Sequence, residues 1–267
     1  MMRSPGPAFD LRAALSRELS AAIEELDMSG GRPKGVHRCR VRIKRARALA
    51  RIGRAGAPGL AEVFNDSARG VMRTLGQARD LVALAEAARR AAKKGDKREA
   101  RALLDVASTL DVERGFLPPL DIDGARAGLK DLLALAQVWP EASHRQIKRG
   151  AERVIRRARK ARRRGRGSDE PAHRHEWRKR EKDRYYAALL LDDAWPTARR
   201  LKLGDKLGDV LGVERDALLL MDRIEADPAM AGEGNAAKRA TRVLRKRCVR
   251  FADRADALGA RVHSGAA

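Results

Sequence analysis

The chain has 267 residues, 59 of them Lys or Arg against 36 Asp or Glu, and a formal net charge of +23. Apolar residues make up 43%, enough for a real core, which excludes a disordered basic tail. That charge excess favours polyanionic partners, and the length allows one large domain or two small ones.

The N-terminal stretch "MMRSPGPAFDLRAALSRELSAAIEEL" carries acids where a signal peptide needs an apolar run, so no secretion signal is read. Ala, Leu, Arg, Glu and Lys dominate from there on, and β-branched residues are sparse. Helix breakers recur at Gly30-Gly31, Gly56 to Gly59, Gly95, Pro118-Pro119, Pro140, Gly165 to Pro171, Pro196 and Gly232 to Gly234. They predict an all-α protein of about ten helices. The expected spans are 8–28, 34–53, 59–75, 77–94, 97–112, 122–138, 143–164, 171–192, 196–211, 214–226 and 235–258. No apolar run approaches the roughly 20 residues a membrane helix needs, so no membrane partner is expected.

The second predicted helix carries "VHRCRVRIKRARALARI", with seven cations and no acid. At about 100° per residue, His37, Arg40, Lys44, Arg47 and Arg51 fall within an arc of about 80°. Arg38, Arg42 and Arg45 lie on the far face with Leu49. Apolar residues separate the two basic stripes.

Further along, "HEWRKREKDRY" from His175 repeats "HRCRVRIKRAR" from His37, and "LGVERDALLL" from Leu211 repeats "LGQARDLVAL" from Leu75. The offsets, 138 and 136 residues, nearly agree, so the chain reads as two similar halves, about 8–115 and 120–260. His175, Arg178 and Lys182 repeat His37, Arg40 and Lys44 at identical spacing. The opposite face of the second copy, Glu176, Arg180, Asp183 and Ala187, reads as solvated surface. The shared stripe is therefore the expected functional face.

A ladder of cations suits a line of phosphates. Arginine pairs phosphate oxygens bidentately, lysine acts as a point charge, and a helix N-terminus near each histidine adds partial positive charge. Neighbouring cations should disfavour a protonated imidazole until an anion arrives. Arg79-Asp80 and Arg215-Asp216 fit either of two roles, orienting the His helix or pairing on a surface. Residues 145–166 hold twelve cations and one acid, Glu152, with Arg145, Arg149, Arg153, Arg156 and Lys160 on one face.

Aromatics make up only 3%, which points away from base stacking, although duplex nucleic acid needs none. Cys39 and Cys248 lack metal spacing and fit a reducing cytosol. Acids are scattered singly. No metal site, cofactor or catalytic residue is expected, and the chain is read as a non-enzyme.

Together these segments resemble the CHAD domain, the conserved histidine α-helical domain, over about residues 8–258. Its first motif matches at His37, Arg40, Val41, Lys44 and Arg45. Its second matches at His175, Arg178, Lys179, Arg180, Lys182, Asp183 and Tyr186, with Arg184 and Tyr185 departing from the usual pattern. The resemblance implies a single all-α domain of two similar bundles related by pseudo-twofold symmetry, with a basic cavity between them. It implies inorganic polyphosphate as partner and a cytoplasmic location at polyphosphate granules. The expected polyphosphate-binding set is His37, Arg40, Lys44, Arg45, Arg47, Arg51, His175, Arg178, Lys179 and Lys182. Arg79, Asp80, Arg215, Asp216 and Tyr186 would support it. A duplex nucleic acid is the alternative partner.

Overall fold

A computed structural model describes residues 9–264, which form ten α-helices and two short 3₁₀ turns. The helices are α1 (Leu11–Ser29), α2 (Pro33–Gly53), α3 (Pro58–Thr74), α4 (Gln77–Ala92), α5 (Lys97–Gly115), α6 (Ile122–Gln137), α7 (His144–Gly165), α8 (Pro171–Leu191), α9 (Leu201–Ala226) and α10 (Ala236–His263). No strand occurs among the described residues. No helix is long and apolar enough to cross a membrane.

The starts follow from local chemistry. Asp10 and Asp121 accept from the amides of Ala13 and Gly124, each at 2.8 Å, and Asp96 forms a capping box with Glu99. Proline opens α2, α3 and α8, where a missing amide proton costs nothing. The expectation of separate helices at 196–211 and 214–226 is corrected: α9 runs unbroken through Gly212. Apolar residues on both sides of that glycine are buried, Leu207, Val210 and Leu211 in one core and Ala217 in another, and hold the helix through it.

The chain divides into two compact units, and they are not the two sequence halves. Unit 1 takes residues 1–76, 120–160 and 180–201; unit 2 takes 77–119, 161–179 and 202–267. Each unit therefore draws on both halves, and α7 and α8 contribute to both units.

In unit 1, α2 packs against α1 and α3, and α6 packs against both of those. The core joins Leu15, Leu19, Ile43, Leu49, Phe64 and Trp139, with Phe64 and Trp139 meeting edge to face at 5.8 Å. At Gly150 the backbones of α7 and α2 touch: a Cβ there would lie 2.2 Å from the Ile52 carbonyl oxygen. Unit 2 holds two cores. One joins α4, α5, α9 and α10 around Leu103, Leu110 and Leu220. The other surrounds Trp177, with Gly259 pressed against its ring.

Candidate functional site

The two histidines occupy equivalent places. His37 and His175 are each the fifth residue of a helix that begins with proline. Beyond that point the two copies diverge.

In unit 1, His37 is exposed, and Lys44, Arg47 and Arg51 are half-buried. Arg40 is buried, at 9% exposure. Its Nη1 donates to the carbonyls of Met72 and Leu75, both at 2.8 Å, and so closes the C-terminal end of α3. The ladder expected through Arg40 thus has a structural rung. Gly76 explains the Leu-Gly motif: Arg40 Nη1 passes 3.4 Å from where a Cβ would stand.

Arg47 donates to Asn65 at 3.4 Å, and burial together with Arg51 pushes its guanidinium down to about 10. Arg51 donates to the Arg47 carbonyl at 2.9 Å and pairs with Asp183 at 3.2 Å. Arg45 was expected in the binding set, but it faces Glu18 at 3.8 Å. Arg42 also pairs with Glu18, at 3.2 Å, and Arg38 with Glu25. The second basic stripe of α2 is therefore matched to acids of α1, which a local sequence window does not include.

In unit 2, His175 is half-buried. Burial, then Arg215, Lys179 and Arg178 in that order, lower its pKa to about 4. The ring is neutral near pH 7, as the sequence suggested. Arg178 lies beside Gly212, with Nε at 3.7 Å from a Cβ position, so the second Leu-Gly pair repeats the first as a seat for the motif arginine. Asp216 faces Arg178, Arg90, Arg79 and Arg215, while burial raises its pKa. It suits the orienting role. Asp80 is mostly exposed and meets its neighbour Arg79 at 3.9 Å, which suits the surface role.

Lys179 is exposed and pairs with Glu176 at 2.9 Å. Lys182, in unit 1, sits over the Tyr185 ring at 5.4 Å. Tyr186 is buried in the unit 1 core. The reading of Glu176, Arg180, Asp183 and Ala187 as solvated surface is corrected. Ala187 is fully buried, and Asp183 accepts from Arg180 at 3.2 Å while it pairs with Arg51. A helical wheel reports which residues share a face, not what packs on that face.

Sequence reasoning missed Arg174. It is buried in unit 2, where it meets Glu214 through two hydrogen bonds at 2.6 and 2.7 Å and Asp256 at 2.8 Å. It also lies 5.1 Å from the Trp177 ring centre. A signal was present. At the repeat offsets, Arg174 and Glu214 correspond to Val36 and Ala78, so the sequence of one copy has two apolar residues where the other has an ion pair. Arg184, the motif's departure, likewise pairs with the fully buried Glu181.

The basic face expected on α7 is present: Arg145, Arg149, Arg153, Arg156 and Lys160 are all exposed, opposite buried Ile147, Ala151, Val154 and Ala158. Both cysteines are free thiols, and burial pushes Cys39 up to about 12 and Cys248 up to about 11.

A histidine and an arginine at matched positions of two proline-led helices, each arginine set on the glycine of a Leu-Gly pair, define a helical domain with a duplicated basic motif. A family model of the CHAD domain matches residues 11–225, and the chain belongs to that family. The fold is similar to the crystal structure of the CHAD domain from the plant Ricinus communis, with a TM-score of 0.69 and 21% identity over 100% of this chain and 97% of that one. No curated protein matches the sequence. The family is associated in general with polyphosphate and triphosphate binding.

Proposed function

We propose that this CHAD domain binds inorganic polyphosphate without acting on it chemically, and that it associates with polyphosphate granules in the cytoplasm. The observation that carries the reading is His175, a partly exposed imidazole held neutral among Arg215, Lys179 and Arg178. Cations that repel a proton from a neighbouring ring attract an anion to the same place. His37 and Lys44 of α2, together with the exposed face of α7, add cations at the surface of unit 1.

In this reading Arg40, which donates to carbonyls, and Arg45, which faces Glu18, contribute less, whereas His37, Lys44, His175, Arg178, Lys179, Lys182 and Arg215 carry the contact. Arg79 and Asp216 hold the unit 2 cluster in register.

The test is competition between long-chain polyphosphate and duplex DNA of matched charge at fixed salt. Polyphosphate should displace DNA at lower phosphate concentration, and its affinity should fall steeply with added salt as counterions are released. Equal displacement would favour a duplex nucleic acid as the partner. A flat salt titration would reject the phosphate ladder.

A further inference from the structure

Unit 1 holds a cleft of about 240 Å³ that neither motif histidine lines. Six arginines line it: Arg51, Arg54, Arg69, Arg153, Arg157 and Arg180. Only three carboxylates share the lining, Glu62, Asp66 and Asp183. Two are already engaged, Asp66 with Arg69 and Asp183 with both Arg51 and Arg180. The cleft therefore keeps an excess of positive charge.

The charge reaches below the surface as well. Arg47 is held against Asn65, also in the lining, and its charged guanidinium is disfavoured first by burial and then by Arg51, Arg69 and Arg180, against Asp183. Guanidinium groups brought this close repel one another, and an anion among them relieves every pair at once. The volume is smaller than the roughly 300–1,000 Å³ usual for organic ligands, so the occupant is compact. Planar guanidinium forks around a small space match tetrahedral phosphate oxygens.

We propose that this cleft is a separate site for one compact phosphate unit, filled either by a free short phosphate anion such as pyrophosphate or by the terminal residue of a longer chain. Arg54 and Arg69 hold it from one wall and Arg153 and Arg157 from α7, while Asp183 keeps Arg51 and Arg180 in place. This gives part of the basic α7 segment a ligand. The site stands independently of whether the histidine surfaces bind polyphosphate.

Calorimetric titration of the full chain with pyrophosphate tests it. Arg54→Gln with Arg153→Gln should weaken pyrophosphate binding at least tenfold. Lys93→Gln with Lys94→Gln removes the same charge from exposed positions outside the cleft and should change it less than twofold. Equal losses, or no binding of pyrophosphate by the unaltered chain, would overturn the proposal. If the first variant has a lowered melting temperature, Arg153→Gln alone, at an exposed position, should still weaken binding several-fold; no change would be equally fatal. Titration with long-chain polyphosphate separates the two sources. If chain ends occupy the cleft, the cleft variant lowers the number of chains bound; if only free short anions do, that number is unchanged. Either result with intact pyrophosphate binding upholds the cleft. His175→Gln with Lys179→Gln should weaken long-chain binding only, so failure of the histidine surface and failure of the cleft read out differently.

Discussion

The same short motif does two different jobs in the two units. In unit 1, α3 ends at Thr74, so Leu75 and Gly76 form a terminus with carbonyls to satisfy, and Arg40 satisfies two of them. In unit 2, Leu211 and Gly212 lie inside continuous α9, whose carbonyls are already used by the helix. Arg178 rests beside that glycine, where Asp216 faces it. A helix break, not a change in the motif, turns one arginine into a cap and leaves its counterpart for electrostatics.

The largest test concerns the pair that differs most between the copies. Arg174→Val should destabilise the protein by about 3–5 kcal/mol, because Glu214 stays buried without its partner. Adding Glu214→Ala, which installs the residue types of the other copy at both positions, should recover much of that loss. Denaturant unfolding measures both, and no recovery would mean that the two copies are not interchangeable at this pair.

Next comes the cap. Arg40→Ala should cost about 2–4 kcal/mol, since two carbonyls lose their donor. Arg178→Ala should cost under about 1 kcal/mol, in the range of ordinary surface substitutions, and act mainly on polyphosphate affinity. Equal losses of stability would break the comparison at its centre.

The two glycines sharpen it further. A Cβ at Gly76 would stand 3.0 Å from the Arg73 carbonyl oxygen and 3.2 Å from that of Met72, whereas at Gly212 it would meet nothing closer than 3.7 Å. Gly76→Ala should destabilise by about 1–2 kcal/mol through crowding. Gly212→Ala should be neutral or stabilising by up to about 1 kcal/mol, because alanine suits a helix interior. Thermal melting under identical conditions reads the difference in sign.

The smallest effect is a slope. The pKa of His175 is lowered to about 4 from an ordinary 6.5, so between those values the unfolded chain binds the proton and the folded one does not. Stability from this group is full above about pH 6.5, falls as pH drops, and levels off below about pH 4. His175→Gln should remove that slope, measured by unfolding at several pH values. His173→Gln, at an exposed position two residues away, is the control. Bound polyphosphate should raise the His175 pKa, so affinity should grow as pH falls through the bound-state value.

Much of this was legible in the residues. Breakers and caps placed nearly every helix because those signals are local. The repeat, the histidines and the motif arginines followed from spacing alone. Glu18 opposite Arg42 and Arg45 was not legible, because its position depends on how α1 lies on α2. Nor was the burial of Asp183 against Arg51, where residues 132 apart in sequence meet. The Arg174–Glu214 pair is an intermediate case. Its two members change together between the copies, and only comparing the halves position by position exposes them.

The division of the chain into units also governs how the protein is made. Unit 1 begins at the N-terminus but needs Tyr186, Leu191 and Trp195 in its core. At synthesis rates of about 5–20 residues per second, the 125 residues between 76 and 201 take about 6–25 s to appear. For that interval α1 to α3 have been translated while the last part of their core has not. Unit 2 opens at residue 77 and takes α10 from the C-terminal end, so its wait is longer still.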